Sequence, residues 1–198
     1  MSPERTHPHP HSRLCPWWLG GLLDNALRRL LHNPQTILGD RVKRGQRVAD
    51  LGAGSGFFSL PLCELVGEAG RVYAVDLQSE MLSQIECKAA RRRLRNLTTC
   101  RSGGNAFALP ERVDFVLVFW MLHEVDEPGR FVESIQAALA DGGTVLFSEP
   151  KFHVPQSAFL QEAARFTAAG FRIRETPTIR GSRSLLLEKT EPSVPDVK

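Results

Sequence analysis

The sequence predicts an α/β fold: a doubly wound, mostly parallel sheet in three α/β/α layers, closed by an antiparallel hairpin. Three observations predict it. From Arg47 onward, short apolar runs alternate with helix-length amphipathic segments, the pattern of βα units that stack strands in parallel. The first run, Val48-Ala49-Asp50-Leu51, empties into Gly52-Ala53-Gly54-Ser55-Gly56, a glycine-rich strand-to-helix turn. The last two runs, 171–179 and 182–187, are joined by Arg180-Gly181, a turn signal.

A chain of 198 residues is long enough for one domain with a sizeable core. Its 42% apolar and 24% charged residues are ordinary for a globular protein. A net charge of +3 permits anionic partners without arguing for them. No stretch is apolar enough to span a bilayer, so no membrane partner is expected. The N-terminus lacks the apolar region of a signal peptide, and a cytoplasmic protein is expected. The four cysteines, Cys15, Cys63, Cys87 and Cys100, form no C-x-x-C pair and no zinc-ligand spacing. They read as reduced thiols, and no metal site is expected.

Residues 1–13 are rich in Pro and His and read as a disordered tail. His7, His9 and His11 alternate, but Pro8 and Pro10 hold no fixed ligand geometry, so a solvated tail is favoured over a metal site. Residues 14–190 form the single domain, opening with a helical lid over 14–40. There Leu22, Leu23, Ala26, Leu27, Leu30 and Leu31 recur at helical spacing behind Trp17 and Trp18. Asn33 can cap a second short helix with Pro34 at its first position. Strand one spans 47–53 and helix one 56–66, with Pro61 near its start. Strand two spans 71–77 and helix two 79–94, capped by Ser79. Strand three is 97–101. Strand four, 113–121, is apolar enough for burial on both faces. Asp126 caps the next helix, whose first turn holds Pro128. Strand five is 143–148. Helix five, 155–169, shows Phe159, Ala163 and Phe166 on one face and stops at Gly170. The polar tail from Glu188, and 191–198 in particular, reads as frayed.

In such a sheet a ligand binds beyond the carboxyl ends of the strands, near the switch point. Asp50 precedes a G-x-G-x-G turn rather than the G-x-G-x-x-G of dinucleotide binders. A carboxylate there repels a pyrophosphate and suits a cationic, amino-acid-bearing ligand. Strand two ends near Asp76, where a carboxylate can accept both hydroxyls of a ribose. Gly104-Asn105-Ala106 follows strand three and can offer an amide and backbone groups to an adenine edge. Phe119, Trp120, Met121, Leu122 and His123 follow strand four.

With these motifs in order, the chain resembles class I S-adenosylmethionine-dependent methyltransferases over about 42–187. Residues 48–56 resemble the family's glycine motif, 72–76 its acidic strand-two motif, and 104–106 its Asp-Ala position. Residues 114–125 and 139–150, with the Asp141-Gly142-Gly143 turn, resemble the later motifs. The resemblance implies a Rossmann-like seven-stranded sheet whose closing pair is antiparallel. It implies S-adenosylmethionine as cofactor and S-adenosylhomocysteine as product. Gly52, Gly54, Ser55 and Gly56 would hold the methionine part and Asp50 its ammonium. Asp76 would take the ribose diol, Leu77 and Met81 would flank the adenine, and Asn105 and Ala106 would meet its polar edge. Val118 and Phe119 would lie near the sulfonium. Asn105 departs from the usual acid and loses its charge.

Methyl transfer from a sulfonium is an in-line displacement, so the protein mainly aligns reactants and excludes water. A base is needed only if the acceptor loses a proton. His123 and Glu124 are the candidates, set against a reading in which His123 packs beside the cofactor and Glu124 faces solvent or caps a backbone group. Glu149 can face pocket or solvent. No Asp/Asn-Pro-Pro-Tyr follows strand four, and no Cys follows strand four or five. By resemblance these omissions disfavour base-nitrogen and pyrimidine-carbon methylation. The basic run Lys88, Arg91, Arg92, Arg93 and Arg95 reads first as a solvated helix end. Arg172, Arg174, Arg180 and Arg183 form a second set. The reading reached is methyl transfer to a small-molecule acceptor, partly hydrophobic by its aromatic surroundings. RNA or protein methylation and non-catalytic cofactor binding are the alternatives.

Overall fold

In the computed structural model, residues 32–190 are described. The expectations for the tail, for the leading lid helix with Cys15, Trp17 and Trp18, and for 191–198 lie outside them. The elements run α1 (Pro34–Leu38), β1 (Arg47–Leu51), α2 (Ser59–Val66), β2 (Arg71–Asp76), α3 (Ser79–Arg91), β3 (Leu97–Arg101) and β4 (Val113–Phe119). A 3-10 turn (Leu122–Glu124) follows, then α4 (Pro128–Ala138), β5 (Leu139–Pro150), α5 (Gln156–Ala168), β6 (Phe171–Glu175) and β7 (Ser182–Lys189).

The strands form one seven-stranded sheet in the order β3-β2-β1-β4-β5-β7-β6. β1 to β5 pair in parallel, and β7 lies antiparallel between β5 and β6. The order reverses between β1 and β4, which opens a crevice at their carboxyl ends. Side-chain alternation splits the core into two faces. Val48, Val72, Phe115 and Leu117 pack with Ile37, Leu38, Leu62 and Val66 of α1 and α2. Ala49, Tyr73, Val116 and Phe147 pack with Phe131 and Ile135 of α4 and Phe159 and Phe166 of α5. On the first face Ala74 also meets Leu82 and Ile85 of α3. This is the expected three-layer arrangement, with each helix burying one apolar stripe. A fully buried Leu or Phe of these stripes contributes roughly 1.5–3 kcal/mol.

Several boundaries move for local reasons. β1 stops at Leu51 because Gly52, Gly54 and Gly56 all take positive φ and keep the chain out of strand and helix until Ser59. Pro61 thereby falls in the first turn of α2, where its missing N–H costs nothing. Ser79 does not cap α3: the Gln78 N–H goes to Asp76 Oδ1, and Ser79 Oγ donates to Glu80. α3 ends at Arg91, and Arg93 turns left-handed at φ 56°. Asp126 does not cap α4, whose first residue is Pro128; the Glu127 N–H donates to Asn105 Oδ1. β5 begins at Leu139 and absorbs Asp141-Gly142-Gly143, with a register shift against β4 and Gly142 at φ 71°. β6 ends at Glu175, short of the expected 179. Glu188 and Lys189 are strand rather than tail, and Lys189 Nζ donates to the carbonyls of Gln136 and Leu139.

Candidate active site

A cavity of about 210 Å³ opens at the switch point. Its floor is the loop after β1. The Gly52 and Ala53 N–H groups both donate to Val75 O, at 2.9 and 3.0 Å. The Gly54 N–H donates to Asp76 Oδ2 at 2.8 Å. The loop is thus tied to β2 before any ligand arrives. Gly52 is obligatory: its φ is 68°, and a Cβ would lie 2.7 Å from Met121 Cβ.

Asp50 and Asp76 line the same cavity, with Gly52, Gly54 and Ser55 between them. Asp50 is 2% exposed and accepts from Ser59 Oγ at 2.5 Å, so the first residue of α2 fixes its orientation. Both oxygens of Asp76 accept backbone N–H groups, from Gly54 and Gln78. The Leu77 N–H is a third backbone donor to this carboxylate, which with about four acceptor sites keeps capacity for a further donor. Burial raises the Asp76 carboxyl above its ordinary value, opposed by these amide bonds.

Leu77 and Met81 line the cavity on the β2 side, Phe119 on the β4 side. Asn105 also lines it, but its amide is committed to α4: Nδ2 donates to Glu127 Oε1 and Oδ1 accepts the Glu127 N–H, both at 3.1 Å. Gly56, Ala106 and Val118 do not line the cavity. The Gly56 Cα faces Ile85 of α3, and Ala106 O accepts the Gly103 N–H. Val118 is fully buried in the opposite core, because alternation along β4 turns it away.

The candidate acid–base pair divides. Glu124 lines the cavity. His123 does not; its Nδ1 lies 2.5 Å from Glu149 Oε2, and its Nε2 lies 4.0 Å from Glu124 Oε1. Burial pulls the His123 imidazole down, but the hydrogen bond and charge of Glu149, with Glu124 and Glu162, leave it raised above its ordinary value. Glu149 faces neither pocket nor solvent: it is 0% exposed beneath His123.

Three groups here take roles that sequence reasoning did not give them. Trp120 lines the cavity in a left-handed conformation, φ 60°, which a tryptophan rarely adopts. Its N–H donates to Ser148 O and its indole Nε1 to Ser182 Oγ. Phe152, 79% exposed, meets its ring edge-on at 5.4 Å, and the His32 ring meets it at 4.7 Å. Glu162 is buried beside Phe159 and Phe166, and burial, then the Glu149 charge, pushes its carboxyl up to about 7. Its position, three residues past Phe159 and four before Phe166, was the available signal. Lys88, expected in a solvated helix end, instead donates to Ser55 O at 2.8 Å and buttresses the glycine loop.

Comparisons with known proteins agree with this geometry. A family model described as a methyltransferase domain matches residues 48–143. The chain is 32% identical over 128 residues to the ubiquinone/menaquinone biosynthesis C-methyltransferase UbiE of Erwinia tasmaniensis, covering 60% of this chain and 49% of that one. It is 31% identical over 135 residues to the Pseudoalteromonas translucida UbiE, covering 63% and 52%. The chain thus spans about half the length of the curated relatives it matches. A crystal structure of a SAM-dependent methyltransferase from Aquifex aeolicus superposes with a TM-score of 0.79 at 25% identity, over 88% of this chain and 98% of that one. The [4+2]-cyclase SpnF shares the fold at a TM-score of 0.69 and 14% identity, over 89% of this chain and 96% of that one. Glycine loop, strand order and matching relatives converge: residues 48–143 match a methyltransferase domain, and the chain has the fold of S-adenosylmethionine-dependent methyltransferases.

Proposed function

We propose that this chain binds S-adenosylmethionine in the switch-point cavity and transfers its methyl group to a small, partly hydrophobic acceptor. The observation that carries the reading is the meeting of Asp50 and Asp76 with the Gly52–Ser55 loop on one crevice. The donor set fits the cofactor. Asp50 is a buried carboxylate for an ammonium, Asp76 has acceptor capacity left for a ribose hydroxyl, and Leu77 and Met81 supply apolar walls for an adenine. Gly54 and Ser55 would lie along the methionine part and Phe119 near the sulfonium. The Asn105 amide is already engaged by Glu127, so the adenine edge would be met there by backbone groups.

The cofactor supplies a methyl group already activated on a sulfonium. The protein's task is alignment and dryness. Phe57, Phe58, Phe119 and Trp120 line the cavity and support an apolar acceptor. The UbiE relatives, C-methyltransferases of ubiquinone/menaquinone biosynthesis, support a carbon acceptor of quinone type. Any proton the acceptor sheds would pass to Glu124, the member of the candidate pair that reaches the cavity. The RNA alternative loses support because Arg172 and Arg174 pair with Glu188, and Arg92 lies 3.7 Å from Glu64. Among the described residues no helix is long and apolar enough to cross a membrane, and a cytoplasmic location belongs to the same proposal.

Titration calorimetry with S-adenosylhomocysteine tests the cofactor. Micromolar binding is expected, and none at millimolar ligand overturns the reading. Tritiated methyl transfer to 1,4-naphthalenediol tests the acceptor class. This second test is needed because a shared fold does not fix the reaction.

A further inference from the structure

We propose that Glu149 is the positioning residue of the cavity wall formed by residues 121–126, and that it acts through a proton-linked pair with His123. The proposal deepens the cofactor reading and rests on it for the identity of the ligand.

Glu149 ends β5 with no exposure to solvent. Its Oε1 accepts two backbone N–H groups of the 3-10 turn, from Leu122 at 3.0 Å and His123 at 3.3 Å. Its Oε2 meets His123 Nδ1. The turn has no side-chain cap of its own. One buried carboxylate therefore holds both the main chain and the imidazole of the same three residues. On its other side the turn carries Met121, Glu124, Val125 and Asp126 into the cavity. Met121 packs so tightly over Gly52 that no Cβ fits between them. Movement of the turn is therefore transmitted directly to the glycine loop.

The charge balance of the pair depends on one proton. Three groups face it besides Glu149: Glu124 from the turn itself, Glu162 from α5, and His153 with its ring centroid 5.0 Å from that of His123; Arg165 acts on Glu162. Arg183, opposite Glu149 on β7, sends its guanidinium to Val154 O instead. The neighbourhood is thus dominated by carboxylates. With His123 charged, the buried Glu149 charge is matched and its amide bonds are held. Loss of that proton leaves a buried anion facing other anions, with only neutral donors. The turn then loosens against β5, and the cavity wall shifts.

The test is a titration of the ligand-free protein by 15N-resolved NMR from pH 5.5 to 8.5, with S-adenosylhomocysteine calorimetry over the same range. The amides of Leu122, His123 and Gly52 should titrate with the His123 imidazole at one shared midpoint, above that of an exposed histidine. Affinity should fall at least three-fold above that midpoint. Glu149→Gln keeps an acceptor for the two amides but removes the charge. It should weaken binding at least five-fold at pH 6.5 and abolish the pH slope. His123→Asn should flatten the slope likewise. Amides that do not follow His123, or a Glu149→Gln protein that binds more weakly by the same factor at every pH, would overturn the proposal. Wild-type protein that binds no S-adenosylhomocysteine while the amides still follow His123 would sink the cofactor reading and leave the positioning role standing.

Discussion

Replacing Glu162 with Gln should stabilise this protein at alkaline pH and hardly at all in acid. Glu162 is 9% exposed on α5, and its Oε2 has no hydrogen-bond partner among the described residues. Burial first, then the charge of Glu149, raises its carboxyl from 4.5 to about 7, against the opposing pull of His123 and Arg165. The folded chain therefore holds this proton more tightly than the unfolded chain. Stability associated with it is fully present below pH 4.5 and is lost as pH climbs to about 7. At about 1.4 kcal/mol per pH unit, that interval amounts to about 3 kcal/mol. Glu162→Gln removes the ionisation and with it the loss. Urea unfolding at pH 4.5 and pH 8, with slopes checked for equality, should show the variant gaining up to about 3 kcal/mol relative to wild type between the two conditions. His123 titrates in both proteins, but the Glu162 charge is one of the causes that raise its imidazole, so part of the difference reads the coupling of the two groups. A difference between variant and wild type that is equal at the two pH values would refute the reasoning.

Other expectations are as direct. Gly52→Ala forces a left-handed Ala into Met121, 2.7 Å from its Cβ. It should destabilise by about 1–3 kcal/mol, read by urea unfolding, and should abolish S-adenosylhomocysteine binding by calorimetry. Asp76→Asn keeps the shape but loses the charge held by the Gly54 and Gln78 N–H groups. At about 1.5–3 kcal/mol for such bonds, S-adenosylhomocysteine affinity should fall roughly 10- to 100-fold, with the circular dichroism spectrum unchanged. Lys189→Met leaves the Gln136 and Leu139 carbonyls at the end of α4 without their ammonium donor. Unfolding should shift by about 2 kcal/mol, with cofactor affinity untouched.

Much of the fold was legible in linear order. The apolar runs of β1, β2 and β4 are buried on both faces and cannot be mistaken for loop, and β3 matches its expected span residue for residue. Boundaries at the glycine turn were not legible. Gly54 and Gly56 can follow either helix or loop, and only the anchors on Val75 O and Asp76 keep the chain irregular to Ser59. The same limit explains the misplaced caps. Ser79 and Asp126 have the right chemistry for N-caps, yet Asp76 takes the Gln78 N–H and Asn105 takes the Glu127 N–H, the second from a separate loop.

By itself the sequence determined the βα alternation, the glycine bend and the acids at the tips of two strands. These are local matters of periodicity, backbone freedom and residue type, readable within a few positions. Tertiary structure alone decided which groups meet across the sheet. It set Glu149 beneath His123, turned Val118 away from the crevice, committed Asn105 to α4 and Lys88 to the glycine loop, and buried Glu162 beside the first pair. The physical reason is that side-chain alternation and strand order fix those encounters. Both are properties of the assembled sheet, and residues 26 apart along the chain, such as His123 and Glu149, become partners only once β4 and β5 lie side by side.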